Sequence, residues 1–325
     1  MRLGRSLLAL AVCGAAMGPA AGQGTADYPS RGITLVMPLA AASAGDVLGR
    51  LVGAKMATDL GRHIVSENVT GASGAIGIER VLRAAPDGYT LLGTGDNQLI
   101  YAPLFNKSSK FDPRKDLAPI TQLAVLDWAL VAHPAFPART IGDLVALAKG
   151  RPGEINFASG GIGSAQQIAM ELLTTRSGIK LTHVPYRGVT PALNDVVAGV
   201  VPLMFTAVSV AAPYIPDGKL RVLATTGWQR STLLADVPTV AEAGIAGYEF
   251  KTWMALLAPK DTPAAIIDRL HRSAAAAVKD PSLRPQMAAQ GFVAVGNSPA
   301  EFQTELASDY ERIANVIREA NIAPN

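Results

Sequence analysis

Apolar residues along this chain fall into short runs bounded by glycine- and proline-rich turns, with stretches of helical period between them. The run Ile33-Thr34-Leu35-Val36-Met37 predicts a strand that ends at Pro38 in a loop of small residues. From Asp46 onward Leu48, Leu51 and Val52 share one helical face. A strand over 63–69, a glycine-rich turn over 71–77, a helix carrying Ile78, Val81 and Leu82, and a strand over 90–93 follow. This β-α-β-α-β order predicts a mainly parallel sheet flanked by helices, with its ligand edge at the carboxyl ends of the strands, at 41–46 and 94–97. The apolar stretch 120–132 leaves this unit as one long strand, and Thr140 caps a helix bearing Leu144 and Leu147.

A second parallel set then reads as strand 154–158, a helix from Ser164, strand 181–184, helix 191–198 and strand 202–206. The apolar strand 221–226 is suited to carry the chain back. The remaining third predicts mostly helix. Thr239 with Glu242 and Ser298 with Glu301 form capping-box patterns, and Pro299 stands at a first helical position. Phe302, Leu306, Tyr310, Ile313 and Ile317 make a core-facing stripe. The fold class is α/β: two lobes, 28–124 with 225–325 and 125–224, joined by two crossing strands that form a hinge with a cleft.

Phe157-Ala158-Ser159-Gly160-Gly161-Ile162-Gly163-Ser164 is the stretch with the most chemical content. It joins a short buried strand to a helix that Ser164 can cap, with Ile168 and Leu172 four apart. Three glycines there expose backbone N–H groups at a helix N-terminus, where the dipole favours an anion. No Lys-Ser or Lys-Thr pair opens the helix, so it is no P-loop, and Gln166 stands where a nucleophile elbow needs glycine. A plain tight turn is the competing reading of the stretch alone.

Met1-Arg2-Leu3-Gly4-Arg5 and the apolar run after it read as a secretory signal, residues 1–22, with Ala20-Ala21-Gly22 before the cleavage point. The one cysteine, Cys13, lies inside it, so the mature chain has no thiol for a disulfide, a nucleophile or a metal. Removing Arg2 and Arg5 leaves 27 basic residues against 26 acidic ones, which argues against nucleic acid as a partner. The uncharged run 196–215 could span a bilayer, but Gly199, Pro202 and Pro213 fit a helix end, a strand and a turn. His63, His133, His183 and His271 lack metal-ligand spacing, and the 71–77 turn fails as a dinucleotide fingerprint. No metal, no cofactor and no catalysis are expected.

The motifs Tyr28-Pro29-Ser30, Pro86-Asp87-Gly88-Tyr89-Thr90-Leu91-Leu92, Phe157-Ala158-Ser159-Gly160, His183-Val184-Pro185-Tyr186-Arg187-Gly188 and Asp236-Val237-Pro238-Thr239-Val240-Ala241-Glu242-Ala243-Gly244 span essentially the whole mature chain. With them the chain resembles the Bug or TctC-like periplasmic receptors, the solute-binding proteins of tripartite tricarboxylate transporters. The resemblance implies a two-lobed periplasmic binding protein of the Venus-flytrap type. It would act as a monomer that holds a small carboxylated solute between its lobes and hands it to membrane permease subunits. Family ligands include dicarboxylates, tricarboxylates, amino acids, nicotinate and aromatic acids.

In such receptors the central loop grips a carboxylate, which maps to Ser159, Gly160, Gly161, Gly163 and Ser164. The first-lobe loop, often acting through waters, maps to Ala40, Ala41, Ala42, Ser43 and Asp46. Asn97 at the ligand edge, Tyr186 and Thr206 complete the candidate set; for Tyr186, core packing with a satisfied hydroxyl is an equal alternative. The chain departs from the family at Leu39, where an aromatic is usual, and at Ala42 and Ser43, where two glycines are usual. It also has Thr206-Ala207 in place of Asp-Asn. Loss of that acid points to a carboxylate without a cationic group, including aromatic acids. A receptor that presents its ligand to a membrane sensor without transport is the alternative function.

Overall fold

The computed structural model of this protein describes residues 27–106, 111–319 and Ile322. The signal segment 1–22 lies outside the described residues. The first unit runs β1 (Ile33–Met37), α1 (Ala44–Leu60), β2 (Ile64–Asn68), α2 (Ala75–Leu82) and β3 (Thr90–Gly95), with β1 parallel to both neighbours. Strands β1 and β3 are almost continuously buried, as expected of strands covered on both faces. A π-helical turn, Asn97–Tyr101, leads to α3 (Ala102–Phe105), α4 (Pro113–Asp116) and β4 (Leu117–Leu126).

The second unit runs β5 (Trp128–Ala132), α5 (Ile141–Gly150), β6 (Asn156–Ser159), α6 (Ala165–Ser177), β7 (Thr182–Pro185), α7 (Val189–Val197), β8 (Leu203–Ala207), α8 (Val208–Ala211) and β9 (Arg221–Thr225). The chain then returns through β10 (Thr252–Pro259), α9 (Ala264–Lys279), α10 (Arg284–Ala289), β11 (Phe292–Ala294) and α11 (Pro299–Glu319). The result is two mixed sheets flanked by helices, a six-stranded one in the order β11-β4-β10-β3-β1-β2 and a five-stranded one in the order β7-β6-β8-β5-β9. Each has a parallel part and an antiparallel part: β10 runs against β3 and β4, and β5 against β8 and β9.

Two expectations are corrected here. The stretch 120–132 is two strands in different sheets, interrupted at Asp127, whose carbonyl accepts from Val208 N–H at 2.9 Å. Apolar residues on both sides of a one-residue break conceal it from any periodicity. The last third also contains β10, which is buried along its whole length between β3 and β4. Its apolar run Trp253-Met254-Ala255-Leu256-Leu257-Ala258 has no alternation because both faces are covered, and without alternation a strand cannot be told from a helix. The Thr239–Glu242 box forms both of its reciprocal bonds, at 2.9 and 3.0 Å, around a turn, while the Ser298–Glu301 box does open α11.

The two sheets share a core. One apolar cluster runs through Leu92, Trp128, Phe157, Tyr248, Trp253 and Phe302, and α11 packs on both β4 and α6. Where the chain crosses, the Trp128 indole donates to Thr252 Oγ1 at 2.9 Å in a buried bond, and its ring meets Phe250 edge-on. Tyr248 ties the return segment to α6 by donating to the Ala169 carbonyl at 3.0 Å. Replacing Thr252 by valine keeps the shape and strands the indole N–H, so Thr252→Val is expected to lose about 1–3 kcal/mol. The measurement is the urea midpoint at unchanged slope, with Thr252→Ser retaining most of the wild-type value.

Candidate functional site

A cleft of about 960 Å³ opens between the two sheets. Helix α2 supplies one wall with Ala75, Ile78, Glu79 and Leu82, spaced at i, i+3, i+4 and i+7 so that one face meets the cleft. Before it, Ala72 and Ser73 hold left-handed φ values of 47° and 54° at the carboxyl end of β2. The turn after β3 adds Asn97, Gln98 and Tyr101, and Phe105 and Phe111 close one side. Trp128, at the crossing, also lines it. The second lobe contributes the run from Ile162 to Gln166.

That run is shaped by the start of α6. Ser164 is the N-cap and accepts from Gln167 N–H at 3.4 Å, while Gly163 N–H donates to the Gln167 side-chain oxygen at 2.8 Å. Gly163 has φ 75°, and a Cβ there would stand 3.0 Å from the Phe105 ring across the cleft, so both backbone and space require glycine. Ser159 is fully buried beneath the loop. Its hydroxyl meets His183 Nε2 at 2.5 Å and bonds both the N–H and the carbonyl of Gly161. Burial pushes the His183 pKa down, and its ring stacks on Phe157.

The loop therefore satisfies most of its own donors. The N–H groups of Gly161, Gly163 and Ser164 all have acceptors inside the protein. The next two, on Ala165 and Gln166, have none among the described residues, and both residues line the cleft. The Gln166 side chain is 4% exposed, lines the cleft and has no hydrogen-bond partner among the described residues. No lysine or arginine is present among the described lining residues; the two charged ones are Glu79, bridged to Arg83 at 2.9 Å, and Asp116, which accepts from Asp112 N–H at 2.8 Å.

Residues 48–322 match the model of TctC, the tripartite tricarboxylate transporter family receptor. The chain belongs to the TctC family. Protein BugT of Bordetella pertussis is 32% identical over 320 residues, covering 98% of each chain. Among solved structures, Rpa4515 of R. palustris with adipate superposes with a TM-score of 0.75 at 31% identity, over 92% of this chain and 100% of that one. MatC (Rpa3494) from Rhodopseudomonas palustris with bound malate gives 0.71 at 29%, over 89% and 100%. Family and fold are those of substrate-binding receptors. No helix among the described residues is long and apolar enough to cross a membrane.

Within this TctC-family chain, three of the residues marked from sequence, Asn97, Gly163 and Ser164, line the cleft. Gly160 and Gly161 lie just behind it: Gly160 packs against Gly188 and Val189, and Gly161 has φ 134° against the Tyr186 carbonyl. Ala40, Ala41, Ala42, Ser43 and Asp46 of the first-lobe loop are not among the residues that line this cleft. Ala40, Ala41 and Ala42 are exposed, and Ser43 caps α1 by accepting from Asp46 N–H at 3.3 Å. Asp46 is 3% exposed and accepts from Ala42 N–H at 2.8 Å, Asn68 Nδ2 at 2.9 Å and Arg50 Nε at 3.0 Å. Burial raises its pKa, but the Asn68, Arg50 and Ala42 hydrogen bonds outweigh that and hold it below the usual carboxylate range. Its carboxylate holds the loop to α1 and β2.

Tyr186 and Thr206 are not among the residues that line this cleft. Tyr186 donates to Asp195 at 2.6 Å, and burial followed by that contact pushes its hydroxyl up to about 12. Thr206 is fully buried opposite Ala129, on the face of β8 away from Phe205. The residues that sequence reading missed are Ser73, Gln98, Tyr101, Phe105, Trp128 and Gln166. The 71–77 turn carried a usable signal, since it too joins a strand's carboxyl end to a helix; Phe105 and Trp128 carried none. Gly163→Ala is expected to cost at least about 1–2 kcal/mol and more than Gly178→Ala. Gly178 has φ 64° but open space around it, so the difference between the two melting shifts isolates the Phe105 contact.

Proposed function

We propose that this protein is an extracytoplasmic receptor that captures a small carboxylate in the cleft and delivers it to a tripartite tricarboxylate-type permease. The observation that carries the reading is the start of α6, where two N–H groups and the Gln166 carboxamide, without partners among the described residues, open onto a cleft between two lobes. A helix N-terminus presents partial positive charge and oriented donors, which suits a carboxylate without an arginine. The solved relatives with adipate and malate support the chemical class. Export by the 1–22 signal would place the protein in the periplasm. The lobes, 28–124 with 225–325 and 125–224, would turn about the crossings at Asp127 and at Thr225–Thr226.

The energetics suffice. Three charge-assisted hydrogen bonds at about 1.5–3 kcal/mol each cover much of the roughly 8 kcal/mol that micromolar binding requires. Lobe closure excludes water and strengthens them, at a cost in ordering. The test is thermal melting of the chain from residue 23 onward against dicarboxylates, aromatic acids and amino acids. A carboxylate at 100 times its Kd is expected to add about 2.7 kcal/mol of stability. No shift with any carboxylate, at concentrations where amino acids or sugars do shift the melt, would overturn the reading.

A further inference from the structure

We infer that the cleft selects a singly charged carboxylate with an apolar, ring-sized body, and that Gln166 occupies the role a cationic side chain would have. The inference rests on the carboxylate-receptor reading and narrows it. The anionic end of the solute belongs at α6, where the Ala165 and Gln166 N–H groups and the Gln166 carboxamide all lack acceptors. The Gln166 residue is buried, yet its carboxamide is not among the enclosed polar atoms left without a partner, so it opens to the cleft, where a ligand atom can complete its hydrogen bonds. A helix N-terminus supplies about half an elementary charge. That offsets part of the charge of one carboxylate, and the polar side chains on the other side of the cleft, Ser73, Asn97 and Gln98, are neutral.

The rest of the cleft opposes a second negative charge. Leu82, Tyr101, Phe105, Phe111 and Trp128 give it an apolar, largely aromatic wall. Along α2, Glu79 lies four residues beyond Ala75, about 6 Å down the axis, and Asp116 lines the cleft as well. A distal carboxylate would lose water against apolar rings and face Asp116 and Glu79, of which Glu79 has a cation beside it, Arg83 at 2.9 Å. A distal ammonium gains little, because Glu79 already holds Arg83 and Asp116 already holds the Asp112 N–H. In this the chain is expected to part from the relatives solved with adipate and malate.

The test is calorimetric titration of the chain from residue 23 onward with 3-phenylpropanoate, benzoate, adipate, malate and 6-aminohexanoate. The expected result is that a ring-bearing monocarboxylate binds at least tenfold tighter than adipate, malate or 6-aminohexanoate. Gln166→Leu should weaken that ligand at least tenfold, and Gln166→Glu, which sets a carboxylate beside the bound one, at least a hundredfold. A diacid or the amino acid as the tightest ligand overturns the inference and leaves the receptor reading standing. So does a monocarboxylate affinity that neither variant changes. If none of the five binds, the inference falls with them, and the wider melting panel decides whether the receptor reading falls too. The wild-type ranking needs no variant, so a Gln166 substitution that fails to fold leaves the outcome decidable.

Discussion

The Trp128 indole ties the two halves of this molecule together. It stands one residue past the break at Asp127, where the chain leaves the six-stranded sheet, and it donates to Thr252, where the chain re-enters that sheet. Both crossings are therefore fixed by one buried hydrogen bond, supported by the edge-on contact with Phe250 and by the Thr226 N–H donating to the Trp128 carbonyl at 3.0 Å. Because the same ring lines the cleft, the geometry of the connection and that of the site are set at one place. A buried donor is costly to leave unpaired, so neither crossing can shift without disturbing the other.

The cleft handles charge with backbone and neutral amides. The central loop is rich in glycine, yet its first donors are used within the protein by Ser159, Gln167 and Gly161. The glycines shape the loop, through a positive φ and the approach of Phe105 at Gly163, and the helix that follows presents the free N–H groups. The opposite lobe repeats the device at the start of α1. There Asp46 accepts from the Ala42 N–H, Arg50 and Asn68, while the Ala44 and Gly45 N–H groups have no acceptor among the described residues. Two similar strand–loop–helix junctions thus differ in the group that accepts from the loop, a carboxylate paired with Arg50 at Asp46 and a neutral amide at Gln167.

Much of this was legible along the chain because it depends on neighbours in sequence. The strands β1, β3, β6 and β8, the caps at Thr140, Ser164 and Ser298, the stripe of α11 and the two-lobed α/β plan all follow from local period and local hydrogen bonding. The family motifs extended that reading to the whole chain. That Gly163, Ser164 and Asn97 line the cleft was legible because they stand in loops at the carboxyl ends of strands, where such folds open their clefts.

Tertiary structure decided the rest. Strand β10 became the partner of β3 and β4 because both of its faces are covered, a property of its neighbours that erases alternation from its own sequence. Thr239 and Glu242 made their box bonds without a helix because the Thr225 carbonyl takes the Val240 N–H and fixes the segment beside β9. Gln166 and Phe105 face the cleft only because the two lobes meet there, 61 residues apart in the chain. Sequence by itself determined which segments could be strand, helix or loop, since those choices are made within a few residues. Which polar groups were left unpaired, and so which of them are free for a ligand, was decided only when distant segments came together and took the others.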